Sequence, residues 1–519
     1  MTHVLAGLLT LAASVGPAGA VTARDAYVLL SGPDTIAVEL FTSTPERLEG
    51  ELLLRGAGLR VSYTVEYAAD GLPARVRTAM ARTADPAGAV LQSAELEFRG
   101  DSVVATVTPG AVQRFLARRG VQPYLNPSMA MLARAVKLSL AARGDTAGVE
   151  LFALAGGSTL NARVARIGPD SVSVRLAGVE MRFALGRAGD LRGGRIPAQG
   201  ITVVRGDDAT PGAFAPPDYS APAGAPYTAE EVRVPCPGGY SLAGTLTRPK
   251  GATGAVPCVV MLTGSGLQER DEAIPVVHGY RPFRQLADAL ARAGIATLRL
   301  DDRGFGASGG DGANATTADF ADDARAALAW LRTRSGVDGA HLALLGHSEG
   351  GIVAPMVAAD DPKLRGIVLL AGPAWTGRRV IEYQNGLAIG REAGQSWARR
   401  DSLVRVAMTK VDSLAGGSPW LHFFLDYDPL PTARRVRCPV LVMQGQTDHQ
   451  VDPAQAPQLA GAIRAGGNRD VTLKLLADTN HLFLPDANGD PSGYAALKEA
   501  EIPPAIVTAI VDWLRARLR

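Results

Sequence analysis

The chain has 519 residues, 47% of them hydrophobic and 20% charged, and a formal net charge of +2. This is a globular composition, too long for one ordinary core, and its balanced charge leaves no electrostatic footprint for nucleic acid or for an acidic membrane surface. Three cysteines, an odd number at spacings that fit no metal motif, exclude a disulfide-stapled scaffold; Cys258 and Cys438 each adjoin a proline at the start of an apolar run and are read as buried strand ends.

Residues 1–20 read as an export signal. Residues 4–15 are apolar and small, Pro17 breaks the run, and Ala18-Gly19-Ala20 offers small residues for a peptidase. The run is too short to cross a bilayer permanently, its n-region holds His3 but no Lys or Arg, and no other segment reads as transmembrane. The expected location is secreted or periplasmic, without stable membrane insertion.

From residue 25 to 205 the chain alternates with period two. In Leu59-Arg60-Val61-Ser62-Tyr63-Thr64-Val65-Glu66-Tyr67 each odd position is apolar and each even one polar, and the pattern returns at residues 172–176 and 179–183. Around residues 127–140 a helical period takes over, with Met131, Leu132, Ala135, Val136 and Leu138 as its stripe. The expectation is a β-rich domain of eight to ten strands with one or two helices, as a curved sheet or open barrel. Such a sheet offers a concave site for a hydrophobic ligand or, equally, a filled packing or dimerisation module. Residues 206–228, with five prolines and no periodicity, form a semi-rigid linker.

From residue 229 to 519 the grammar changes. Short apolar runs alternate with helical stretches, which predicts an α/β domain built on a mostly parallel, doubly covered sheet, opened by an antiparallel hairpin around Gly238-Gly239. Within it, the apolar run Leu342-Ala343-Leu344-Leu345 leads into Gly346-His347-Ser348-Glu349-Gly350-Gly351. Strand, sharp turn and helix with one hydroxyl at the apex is the arrangement a nucleophilic serine needs, because small residues on either side let the backbone double back.

A serine needs a base, and the base an orienting acid. In this fold class the acid and then the histidine follow the serine along the chain. Of seven histidines, His481 lies past the serine and beyond the apolar run 471–476. Asp448, at the end of the run 439–445, is the acid; Asp452 competes but precedes Pro453 and suits a helix cap, and Asp478 reads as a turn residue. The oxyanion donors are expected at the backbone N–H of Glu349 and of Ser265, with Gly266 as the alternative to Ser265.

These motifs, together with Gly264-Ser265-Gly266-Leu267-Gln268-Glu269-Arg270-Asp271-Glu272 and Asp302-Arg303-Gly304-Phe305-Gly306, resemble those of the α/β-hydrolase superfamily. The resemblance is to two-domain bacterial esterases of its serine-aminopeptidase-like branch, over residues 227–519. It implies an α/β-hydrolase fold with a helical cap, expected at residues 375–430, where about seventy residues separate two strands. Beside the oxyanion turn, Gln268 and Arg270 are expected in the substrate-pocket wall, whereas Arg303 is expected to brace its loop through a carboxylate. The implied function is a serine hydrolase acting on a small-molecule ester of short or medium acyl chain. Two alternatives stand beside it: an amidase or aminopeptidase with the same triad, and a lipid- or glycan-binding protein with an inactive hydrolase scaffold. No cofactor is implied, and the lack of His-x-x-x-His or paired-cysteine spacing speaks against a catalytic metal.

Overall fold

The computed structural model describes residues 24–519 except 33, 56–57, 84–89, 111, 144–145, 187–188, 208–216 and 391–396. The expected export signal lies outside the described residues. Among those described, no helix is long and apolar enough to cross a membrane.

Among the described residues, the N-terminal domain is one sheet of fifteen strands. All neighbours are antiparallel except Gln122–Tyr124, which runs parallel to Thr146–Ala153. Strand Leu59–Tyr67 buries Val61, Tyr63, Val65 and Tyr67 and leaves the polar residues between them wetter, as its alternation predicts. Fifteen strands exceed the eight to ten expected because several carry polar residues on both faces. In Pro73–Arg82 and Val90–Arg99, Arg75 and Arg77 pair with Glu66, Glu95 and Glu97 across neighbouring strands, so little hydrophobic period survives to be read.

One helix, Met129–Arg143, packs against this sheet through Met131, Leu132, Ala135, Val136 and Leu140. Leu138, expected in the stripe, lies on the outer side at 39% exposure; the buried line runs through Ser139 and Leu140 instead. The start of the helix is capped from the sheet. Glu39 is fully buried, and its carboxylate accepts the backbone N–H of Met129 and Ala130 at 2.7 and 2.9 Å, together with the hydroxyls of Ser128 and Tyr63. Two otherwise unsatisfied helix donors are thereby paired, and the negative charge sits at the positive end of the helix dipole. Burial nevertheless pushes the Glu39 pKa up, against the pull of those donors.

Of the linker, residues 208–216 lie outside the described part, and residues 217–226 are held on the C-terminal domain rather than free. Arg284 donates to the carbonyls of Asp218 and Ser220 at 2.6 and 2.9 Å, Lys250 donates to that of Ala225 at 2.9 Å, and Tyr219 lies under the Arg270 guanidinium, 4.1 Å from ring centroid to carbon. The two domains also touch directly, through Ser31 Oγ on the Pro275 carbonyl and Arg82 on the carbonyls of Ser308 and Gly310.

The C-terminal sheet has eight strands in the order Tyr227–Pro235, Ser241–Pro249, Ala296–Leu300, Val256–Leu262, Val337–His347, Gly366–Leu370, Val440–Gly445 and Val471–Leu476. The first two form the antiparallel hairpin, and from Ala296–Leu300 onward all pairs are parallel. Helices Pro282–Arg292 and Pro504–Arg517 cover one face through Phe283, Leu286, Ile510 and Trp513. Helices Thr317–Thr333, Gly350–Ala358 and Gln455–Ala465 cover the other. With both faces dry, the central strands are buried without alternation. Strand Val256–Leu262 connects onward to Ala296–Leu300 on one side, whereas its other neighbour, Val337–His347, connects onward to Gly366–Leu370 on the opposite side. That reversal opens a crevice at the carboxyl ends of the strands. All three cysteines are buried free thiols, and burial pushes Cys236 up to about 11 and Cys438 up to about 12.

Four helices, Gly377–Gly390, Trp397–Ala415, Pro419–Asp426 and Pro429–Ala433, fill the interval expected to be a cap. The first is tied to the Asp448 loop, with Gln384 donating to the Gln450 carbonyl at 2.9 Å and Tyr383 to the Asp448 carbonyl at 3.4 Å. The third is tied to the serine turn, with the Trp420 indole donating to Glu349 at 2.9 Å.

Candidate active site

Ser348 stands at the end of strand Val337–His347 with φ +52°, a left-handed conformation that costs a non-glycine residue roughly 1–3 kcal/mol. The turn tolerates no bulk around it. A Cβ on Gly346 would lie 2.0 Å from the Gly350 carbonyl oxygen, and one on Gly350 would lie 2.2 Å from that of Leu262. Five of the six non-glycine residues with positive φ among those described, Glu272, Ser348, Ala371, Asp478 and Phe483, belong to the loops at this end of the sheet. Backbone strain is concentrated where the chain carries its polar chemistry.

Asp448 and His481 come from the loops after Val440–Gly445 and Val471–Leu476, the second and third strands along the sheet from the serine strand, and meet at 2.7 Å, Oδ2 to Nδ1. Both are buried. The Asp448 carboxylate is saturated: Oδ1 accepts the backbone N–H of Gln450 and Val451 at 2.7 and 2.9 Å, and Oδ2 also accepts the Gln444 amide at 2.8 Å. Such a carboxylate cannot rotate, so it fixes the imidazole with Nδ1–H toward the acid and Nε2 free for the serine side. The competitor Asp452 accepts the Ala454 N–H at 2.8 Å at the start of the following helix, and Asp478 occupies a left-handed turn.

The loop after strand Val256–Leu262 closes on the serine from the other side. A methyl added to Gly264 would sit 3.3 Å from Ser348 Cβ. Ser265, Gln268, Ser348, Glu349 and His481 line a cavity of about 480 Å³, whose far wall is made by Val380, Ile381, Gln384, Trp420 and Phe424 of the cap. The Gln268 amide donates to the Ser265 carbonyl at 3.1 Å, bracing the turn that carries the expected donor. Glu349, which follows Ser348, has a buried carboxylate that receives the Thr317 hydroxyl at 2.6 Å and the Trp420 indole, so its side chain is a structural tie while its backbone N–H remains beside Ser348. Burial pushes its pKa up despite these donors.

The expectation for Arg270 is corrected. Its side chain turns under the loop, 1% exposed, where it pairs with both oxygens of Asp301 at 2.9 Å and with Glu231, and it is not among the residues lining the cavity. A guanidinium with this many fixed partners holds the loop to the hairpin, on the side away from the cavity. Asp271 is likewise consumed, by Arg299 and Arg284. Arg303 pairs with Asp323 at 2.7 Å and Asp319 at 3.0 Å, a brace between its loop and helix Thr317–Thr333.

Two residues in the site went unassigned in the sequence. Glu272 Oε1 accepts the Gly264 N–H and contacts His347 Nδ1, both at 2.8 Å, and His347 Nε2 lies 3.0 Å from the carbonyl oxygen of His481. Glu272 closes the quoted Gly264–Glu272 motif, and His347 directly precedes the serine. Those positions were the signal available.

Residues 268–488 match the family model described as serine aminopeptidase, S33. An uncharacterised 31.7 kDa protein of the traX–finO intergenic region of Escherichia coli is 27% identical over 223 residues, 37% of this chain and 78% of that protein. Dipeptidyl aminopeptidase BIII of Pseudoxanthomonas mexicana is 26% identical over 243 residues, 46% of this chain but 32% of that enzyme. Among solved structures, the Pyrococcus furiosus esterase Pf2001 superposes with a TM-score of 0.40 at 16% identity, covering 56% of this chain and 92% of the esterase. The C-terminal part of this chain is a serine hydrolase domain of the α/β-hydrolase superfamily, in its serine aminopeptidase S33 branch.

Proposed function

We propose that the protein is an exported carboxylesterase that cleaves small esters of short or medium acyl chain through an acyl-serine intermediate. Ser348 Oγ attacks the ester carbonyl carbon while its proton passes to His481 Nε2. The tetrahedral oxyanion accepts the backbone N–H of Ser265 and Glu349, and collapse expels the alcohol, which takes the proton back from His481. Water, deprotonated by the same imidazole, then releases the acid. The observation that carries this reading is the convergence of Ser348, the Asp448-bound His481 and the Gly264–Ser265 turn on one capped cavity.

The cavity wall supports the chain-length preference. Gln268, Glu272, Gln384 and Gln450 interrupt its apolar lining, which suits a short acyl group better than a long alkyl chain. Hydrolysis of p-nitrophenyl esters from acetyl to palmitoyl tests it. The acetyl-to-hexanoyl group is expected to exceed palmitoyl in kcat/KM by at least about tenfold, roughly 1.4 kcal/mol. Comparable palmitoyl turnover, or activation at a lipid–water interface, refutes it.

A second reading is cleavage of an amide or peptide by the same residues, favoured by the serine aminopeptidase match and the dipeptidyl aminopeptidase relative. Turnover of aminoacyl-p-nitroanilides with kcat/KM above that of every ester would select it. The secreted or periplasmic location rests on the residue 1–20 pattern, and sequencing the amino terminus of protein recovered outside the cytoplasm tests it.

A further inference from the structure

We infer that Glu272 and His347 are a positioning pair, an ion-paired brace that holds the His481 loop and the oxyanion turn in register with Ser348. The inference rests on the triad reading proposed above and adds two residues to it. Its basis is a carboxylate oxygen that joins its own loop to the serine turn, and a histidine ring that carries the connection on to the His481 loop. Glu272 Oε1 takes the Gly264 N–H at 2.8 Å, so it fixes the turn that runs past Ser348. The same oxygen meets His347 Nδ1 at 2.8 Å, and the opposite ring nitrogen reaches the His481 carbonyl at 3.0 Å. Both ring nitrogens of His347 therefore face acceptors. Only the imidazolium form donates to both, and the buried Glu272 carboxylate is its counter-charge.

Burial, the strongest single influence on His347, favours the neutral ring. The Glu272 charge and hydrogen bond, the His481 carbonyl and Asp448 together outweigh it and hold the pKa above the ordinary histidine value. The geometry around the pair is equally committed. Glu272 sits at φ +55° and is 1% exposed, and Phe483, at φ +60°, packs its ring edge-on against His347 at 6.1 Å. The His347 and His481 rings lie 4.9 Å apart. Asp448 fixes how the catalytic imidazole is turned, whereas the His347 bond fixes the backbone from which it projects. An error of about 1 Å in that placement costs on the order of a hundredfold in rate.

The test uses the full-length protein with p-nitrophenyl butyrate, kcat being expressed per site titrated by a fluorophosphonate. His347→Asn keeps a donor toward Glu272, and His347→Gln keeps one toward the His481 carbonyl. Glu272→Gln keeps the acceptor for Gly264 and removes the charge. Each is expected to lower kcat by about tenfold or more with KM within about threefold, and His347→Ala to lose more than either conservative variant. Variants with kcat per titrated site within about threefold of wild type overturn the inference, even where their melting temperatures fall, since a merely structural brace affects stability alone. Wild-type protein that the probe does not label at all, or Ser348→Ala protein that it does, overturns the underlying triad reading instead.

Discussion

Replacing Asp448 by asparagine changes almost no volume, and its cost follows from the four donors that converge on the carboxylate. Oδ1 receives two backbone N–H groups, from Gln450 and Val451, which cannot turn away. The asparagine oxygen must therefore take that position, which points the new NH2 at His481 Nδ1 and the Gln444 amide. Gln444 can answer by flipping, because its Oε1 is buried without a partner and its other bonds, to Gly445 and Val451, are already long at 3.4 and 3.3 Å. His481 can answer only by placing its proton on Nε2, and that tautomer cannot receive the proton of Ser348. Restoring the working tautomer sacrifices a charge-assisted hydrogen bond and leaves two donors opposed, together about 3–6 kcal/mol. At 1.36 kcal/mol per decade this lowers kcat by roughly 10²–10⁴, while the melting temperature should move little. Steady-state hydrolysis of p-nitrophenyl butyrate, paired with thermal unfolding, measures both quantities. A kcat within tenfold of wild type would refute the reasoning, as would inactivation fully explained by unfolding.

Ser348→Ala and His481→Ala are each expected to abolish ester turnover, below the residual activity of Asp448→Asn, with an unchanged circular dichroism spectrum; fluorophosphonate labelling should vanish in Ser348→Ala. Glu39→Ala leaves two helix N–H groups unpaired and should destabilise the helix Met129–Arg143 by about 2–4 kcal/mol, read by hydrogen exchange, whereas Glu39→Gln should cost less than about 1 kcal/mol. Because burial raises the folded-state pKa of Glu39 above its unfolded value, its contribution is greatest at acid pH and falls as pH rises from the ordinary glutamate pKa through the raised one. The stability difference between wild type and Glu39→Gln should therefore decline across that window and then level off. A C-terminal fragment beginning at residue 217, which keeps Tyr219 on Arg270 and the Arg284 contacts, should melt several degrees above one beginning at residue 226.

The parts of the molecule legible in the sequence are those set by a periodic or local rule. Apolar runs flanked by helical stretches gave the doubly covered sheet. The elbow, the acid loop and the histidine loop could be ordered along the chain because each sits at the carboxyl end of its own strand, and parallel strands gather those ends on one edge of the sheet. Arg270 was misassigned because sequence adjacency to the oxyanion turn does not say which side of a loop a side chain takes. Its partners Asp301 and Glu231 come from other strands. Glu272 and His347 were hidden for the same reason, since a buried carboxylate–histidine pair that links separate loops leaves no mark in spacing. The fifteen-stranded sheet was undercounted where cross-strand ion pairs replace apolar alternation.

The first strand of the N-terminal domain, Asp25–Ser31, pairs with its last, Ile201–Asp207, and the pair lies in the interior of the sheet, with seven strands beyond one partner and six beyond the other. The chain thus enters and leaves the domain side by side. Each flank can assemble from contacts local to it as synthesis proceeds, but the seam that joins them must wait until residue 207 is available, so seam closure is the high-separation step of folding. Trimming even a few residues past Arg24 would open the middle of the sheet rather than fray its border. Conversely, the whole block between the two seam strands has adjacent ends, the arrangement that lets a module be lifted out or moved between chains without disturbing the domain that follows.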